Sequence, residues 1–108
     1  MKRMFILSAL VTFSMAVCAA TGPALVINEF MADNESFLQD AAGDFDDWIE
    51  IYNAGDEPQD VGGMYLTDDL SEPTKWQLPA GAALQTTIGP YGHLLIWADG
   101  EVAEGALH

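Results

Sequence analysis

The stretch Asp47-Trp48-Ile49-Glu50-Ile51-Tyr52-Asn53 puts Ile49 and Ile51 on one face and Trp48, Glu50 and Tyr52 on the other. A period of two marks a half-buried strand, whereas a helix needs apolar residues three and four apart. Upstream, Ala24–Phe30 (ALVINEF) is a β-branched apolar run ended by Asp33-Asn34-Glu35. Downstream, Asn53-Ala54-Gly55-Asp56-Glu57-Pro58 is a turn cluster. Val61–Asp68 then sets Met64 and Leu66 against Tyr65 and Thr67, and Lys75–Leu78 is stopped by Pro79. Leu84–Ile88 follows a turn at Gly81, and Gly89-Pro90-Tyr91-Gly92 leads into His93–Ala98. That last run is apolar on both faces and predicts a central strand covered on two sides. Short strands about ten residues apart, with no sustained helical period, predict an all-β antiparallel sandwich or barrel. Asn34–Asp47 is the longest loop, and Ser36-Phe37-Leu38 is expected to form one helical turn within it.

The first twenty residues read differently. Lys2 and Arg3 precede Met4–Val17, which is uncharged and apolar, and the small residues Ala19 and Ala20 follow. A basic start, a short apolar run and a small-residue exit predict a secretory signal peptide over 1–20, with the mature domain over 21–108. The run is short of the roughly 20 residues that a membrane span takes, so no span is expected after cleavage. Lipidation at Cys18 is the rival reading, and Met15-Ala16-Val17 lacks the small residue expected just before a lipidated cysteine. A single cysteine excludes an internal disulfide framework and any multi-cysteine zinc site.

The charge balance narrows the function. The chain carries 17 acidic residues against 3 basic ones, and after the leader Lys75 is the one Lys or Arg left. Direct nucleic-acid binding needs clustered cations for the phosphates, and an anionic membrane surface needs the same. Both are excluded. A domain this acidic is soluble, self-repelling and suited to cations or a basic partner.

Two segments, Val26-Ile27-Asn28-Glu29-Phe30-Met31-Ala32 and Asp47–Asn53, carry a resemblance in their order and separation. Val61–Asp69, Lys75-Trp76-Gln77-Leu78-Pro79 and Leu94-Leu95-Ile96-Trp97-Ala98-Asp99 extend it. Together the chain resembles the lamin-tail domain family in its bacterial, secreted form, over about Leu25 to His108. The resemblance implies an immunoglobulin-like antiparallel β-sandwich. It also implies a non-catalytic module of the kind attached to exported hydrolases, nucleases or kinase-like domains. Met64 stands where the family often has Trp. The family continues past a His near position 108 into further strands, so the resemblance implies a sandwich incomplete at its C-terminus.

Candidate sites follow from the acidic residues. Asp33, Glu35, Asp40, Asp44, Asp46 and Asp47 crowd one loop, and hard oxygen donors in such a loop are what Ca²⁺ takes. Asp33, Asp44, Asp46 and Asp47 are the candidate Ca²⁺ ligands, although the loop does not fit the EF-hand spacing. A solvated loop whose Asp residues cap turns is the reading that the residues favour. Glu29 and Glu50, inside strand runs, are expected to face solvent or cap a buried backbone rather than act as an acid/base pair. Asn28 and Asn53 are expected to bond backbone at strand ends. Trp48 and Trp97 are expected in the core and Trp76 is expected to be exposed. Neither His93 nor His108 has a Cys or a second His at ligand spacing, and no nucleophile motif is present. The predicted core is Ile27, Phe30, Ile49, Ile51, Leu66, Leu94 and Ile96. The function expected is a secreted or cell-surface, non-enzymatic binding or scaffolding module with a protein or cell-surface partner. The alternative is an attachment module of a larger exported enzyme.

Overall fold

In the computed structural model, residues 24–101 and 103–108 are described. The expected leader and Cys18 lie outside them. The alternating Asp47–Asn53 stretch forms β2 (Trp48–Asn53), which pairs antiparallel on one side with β1 (Leu25–Met31). Its other side pairs antiparallel with the last strand, β7 (His93–Trp97). Between β2 and β7 the chain adds β3 (Gln59–Asp60), β4 (Tyr65–Leu66), β5 (Trp76–Gln77), the single turn α1 (Ala83–Thr86) and β6 (Thr87–Ile88). β3 pairs with β6 and β4 with β5, both antiparallel. The core joins the two layers: Ile51 of β2 and Ile96 of β7 meet Val61, Leu78 and Ile88 from the ribbon side. Leu25, Leu66, Trp76, Leu94 and Leu107 pack around them. The architecture is an all-β, immunoglobulin-like antiparallel sandwich, as the strand pattern predicts.

Several local expectations give way. β2, not β7, is the central strand of the three-stranded sheet, whose order is β1-β2-β7. β7 is nonetheless apolar on both faces, because the chain's last residues return to it: Leu107 O accepts the Trp97 N–H at 2.8 Å, and the His108 ring stacks on Trp97. Leu84–Ile88 is only in part a strand. Gln85 and Thr86 donate back to Ala82 O at 2.8 and 3.0 Å, closing one helical turn and leaving Leu84 exposed. The helical turn expected at Ser36-Phe37-Leu38 does not form, since the Asn34 side-chain oxygen takes the Phe37 N–H at 3.1 Å. β3 falls in polar sequence next to the turn cluster, where no apolar period announces it.

The predicted core is also revised. Ile51 and Ile96 are buried, and Ile49, Leu66 and Leu94 are half-buried, but Ile27 is 61% exposed and Phe30 73%. The reason is the place of β1 at the end of the sheet, and a bulge sets which residues face inward. Ile27 pairs with Ile51 and Glu29 with Glu50, so Asn28 is an extra residue in β1 and the alternation reverses there. Ile27 and Phe30, three residues apart, therefore share the sheet face of Ile51 and Ile49. That face is covered over β2 and β7, and β1 overhangs it.

Candidate functional site

Two polar segments converge at the end of the sheet where β1 turns into the Asn34–Asp47 loop. Asn34, 5% exposed, staples the loop shut: its Nδ2 donates to Leu38 O at 2.7 Å and to Asp46 O at 2.9 Å. Its backbone N–H donates to Asp47 Oδ1 at 3.0 Å. Within the loop, Asp40 Oδ1 accepts the Gly43 and Asp44 N–H groups at 2.8 and 2.9 Å, folding Asp40–Asp44 into a tight turn. Gly43, at φ 97°, supplies the left-handed residue that this turn needs.

The second segment starts at the end of β7. Asp47 O accepts the Ala98 N–H at 2.7 Å, bringing Asp99 beside the loop. Asp99 Oδ1 accepts the Glu101 N–H at 2.8 Å, and Asp99 Oδ2 lies 2.9 Å from His108 Nδ1. Docking of Leu107 and His108 on Trp97 fixes the imidazole in place.

Asp40, Asp99, Glu104 and His108 thereby place their donor atoms within 4.8 Å of one another. From His108 Nδ1 the distances are 2.9 Å to Asp99, 3.7 Å to Glu104 and 3.9 Å to Asp40 Oδ2. Two further groups adjoin this one: Asp46 with Asp99 and Glu101, and Asp44 with Glu101 and Glu104. Asp40 Oδ2 and Asp46 Oδ2 are buried without a hydrogen-bond partner. The electrostatics follow from the crowding. Contact with the Asp40 carboxylate, reinforced by burial, pushes Glu104 up to about 7. Asp40 itself is held below the usual carboxylate range by the Asp44 backbone N–H. Burial, then the charges of Asp99, Asp40 and Asp44, raise Asp46.

Of the residues the sequence singles out here, Asp44 and Asp46 enter these groups, but with tail partners rather than with Asp33 and Asp47. Asp33 sits at φ 63° just after β1, and Asp47 caps the Asn34 N–H. Asp40 and His108 stand outside the predicted ligand set, as do Asp99, Glu101 and Glu104 of the tail. A turn-forming Asp and a His without a partner at ligand spacing gave no signal across 68 positions of chain.

Elsewhere, Glu29 and Glu50 face each other across β1 and β2. Glu50 Oε1 accepts from Asn28 Nδ2 at 2.7 Å, so Asn28 bonds a side chain rather than backbone. His93 lies 3.9 Å from Glu50 and stacks on Tyr52. Trp48 is in the core as expected and Trp97 half-buried. Trp76 is not an exposed ring: it packs half-buried at the core's edge. There it lines, with Ile49, Leu66 and Ile96, a cleft of about 450 Å³ rimmed by Lys75 and Asp68. Those two form an ion pair of 2.6 Å. Among the described residues no helix is long and apolar enough to cross a membrane.

A three-stranded antiparallel sheet packed against two short ribbons, with loops gathered at the sheet ends, defines an immunoglobulin-like β-sandwich module. The Lamin Tail Domain family model matches residues 19–107, and the chain belongs to that family. The family is an immunoglobulin-like, non-enzymatic one. No curated protein and no solved structure matches the chain significantly.

Proposed function

We propose that this chain is an exported, non-catalytic binding module that engages a protein or cell-surface partner. The observation that carries the reading is the overhanging face of β1. Ile27 and Phe30 are 61 and 73% exposed on that face of the outermost strand, Val26 is 44% exposed on the strand's other face, and Phe37, 73% exposed, lies in the loop just beyond. An exposed strand edge is a template for strand addition, and apolar side chains beside it give such a contact selectivity. Export rests on the basic start and apolar run of residues 1–20.

The test is fractionation of the producing cells. Wild-type protein is expected in the exported fraction, starting near Ala20 or Thr21 by mass and retained on the cell envelope. The Ile27→Lys/Phe30→Lys variant is expected to keep its melting temperature and to be released into the medium. Equal retention of the two proteins defeats the docking role, and exported material that keeps Met1–Ala19 defeats the leader. Turnover of glycoside, ester or phosphodiester substrates that vanishes on Glu29→Gln or Glu50→Gln overturns the non-catalytic reading. The alternative role, attachment of a larger exported enzyme, is decided by the coding sequence beyond His108.

A further inference from the structure

We infer that Asp40, Asp99, Glu104 and His108 form a divalent-cation site of mixed oxygen and nitrogen donors, which clasps the Asn34–Asp47 loop to the last residues of the chain. The geometry is the first support. Ligands about 2.0–2.2 Å from a shared ion lie roughly 3–4 Å from one another. The separations from His108 Nδ1, 2.9, 3.7 and 3.9 Å, span that range.

The second support is a buried carboxylate oxygen that meets no N–H donor and has only the acid of Glu104 beside it. The Asp40 side chain is 0% exposed, and its Oδ1 is used by the turn while its Oδ2 has no hydrogen-bond partner and faces the cluster. A buried oxygen in that state is costly unless something positive meets it. The Asp99 and His108 side chains are 3 and 9% exposed, so water has little access to share the charge. Among the described residues the one group at the cluster able to carry positive charge is His108 itself, already bonded to Asp99. Lys75 is the one Lys or Arg after the first three residues, and it is engaged with Asp68. One imidazole can offset at most one of the three carboxylates, and a bound ion would supply the rest. Glu104, 28% exposed, lies on the open side by which an ion would enter.

The donor set selects the ion. Three carboxylates alone would suit Ca²⁺ or Mg²⁺, whereas an imidazole nitrogen among them shifts preference toward Zn²⁺ and Mn²⁺. Occupancy would draw His108 from its hydrogen bond with Asp99 into coordination. Loop and tail would then be joined through the ion as well as through the Ala98–Asp47 backbone bond. This site is independent of the docking face of β1.

The experiment uses untagged full-length mature chain, stripped with chelator. Zn²⁺, Mn²⁺ and Ca²⁺ are titrated at fixed ionic strength, followed by calorimetry and by thermal melting. The expected result is one ion per chain and a saturable rise in melting temperature for Zn²⁺ or Mn²⁺, following RT ln(1 + [L]/Kd). Asp40→Asn and His108→Ala should each weaken binding at least tenfold, and Asp33→Asn should leave it unchanged. Glu104→Gln, on the exposed rim, repeats the test should Asp40→Asn fail to fold. Co²⁺ substitution adds a readout of coordination: its visible spectrum should change on His108→Ala. A shift reproduced by sodium chloride alone, or no saturable binding, overturns the site. Ca²⁺ binding as tightly as Zn²⁺, with His108→Ala unaffected, overturns the mixed donor set.

Discussion

Single polar side chains hold this small domain's turns in register. Asn53 is 0% exposed and spends its whole amide on backbone: Nδ2 donates to the carbonyls of Glu57, Ile88 and Gly89 at 2.7–3.1 Å, and Oδ1 accepts the Gly55 N–H at 3.0 Å. It ties the end of β2 to the turn that follows and to the end of β6. Truncating it leaves several buried groups unpaired, so Asn53→Ala should cost at least about 2 kcal/mol. Urea denaturation measures this as a lower midpoint at unchanged slope. Asp60 acts similarly between β3 and α1, accepting from the Thr86 hydroxyl at 2.6 Å and the Gly62 N–H at 2.8 Å. These bonds, the Thr86 one foremost, lower its carboxyl below the ordinary 3.8. A depressed carboxyl stabilises the fold above its unfolded value and loses that contribution as pH falls through the folded value. Wild type should therefore exceed Asp60→Asn in melting temperature at pH 7, with the gap closing below about pH 4. A gap independent of pH would show that the Asp60 charge is not what these bonds recognise. Gly62 has no room to vary, since a Cβ there would lie 3.0 Å from Pro79 O and from the Thr86 hydroxyl.

At the scale of elements, β1 and β2 share one sequence grammar and meet different fates. Ile51 and Ile27 are cross-strand partners on the same face, yet one is 6% exposed and the other 61%. Ile51→Asp should unfold the domain, because it buries an unpaired charge. Ile27→Asp should shift the melting temperature little, because its side chain already meets water. Circular dichroism on the pair settles the facing of the sheet, and equal damage from both would show that β1 is covered in solution. Ile96→Ala, in the closed part of the core, should cost about 2–5 kcal/mol. The same measurement on Phe30→Ala should show a far smaller loss.

Across the whole molecule the dominant long-range term is repulsion. With 17 acidic residues against 3 basic ones, two of the latter in the expected leader, compaction concentrates negative charge. Raising monovalent salt from about 0.01 to 0.15 M shortens the screening length from roughly 30 to 8 Å. The melting temperature of the chelated, mature chain should rise steadily across that range without saturating. A flat response would mean that the carboxylates stand too far apart to couple. Screening of this kind acts on every charge, whereas an ion seated at Asp40 and His108 saturates at one equivalent, so the two are separable in one titration.

Strands β1, β2 and β7 were legible because each is long enough for its side chains to show a period, and their order carried the family. β3, β4, β5 and β6 are two residues each, too short for any period, and tertiary pairing defines them. Alternation told that Ile27 and Ile51 belong to strands. It could not tell which would be covered, because coverage depends on how far the ribbons extend over the sheet and on a bulge at Asn28. Charge and composition alone spoke against direct nucleic-acid binding and ruled out an internal disulfide, since the chain has three Lys or Arg and one cysteine. The Asp40–Asp99–Glu104–His108 cluster is the opposite case. Its members are ordinary acids and one histidine along the chain, and they become a group only where the loop after β1 and the tail beyond β7 fold onto the same end of the sheet.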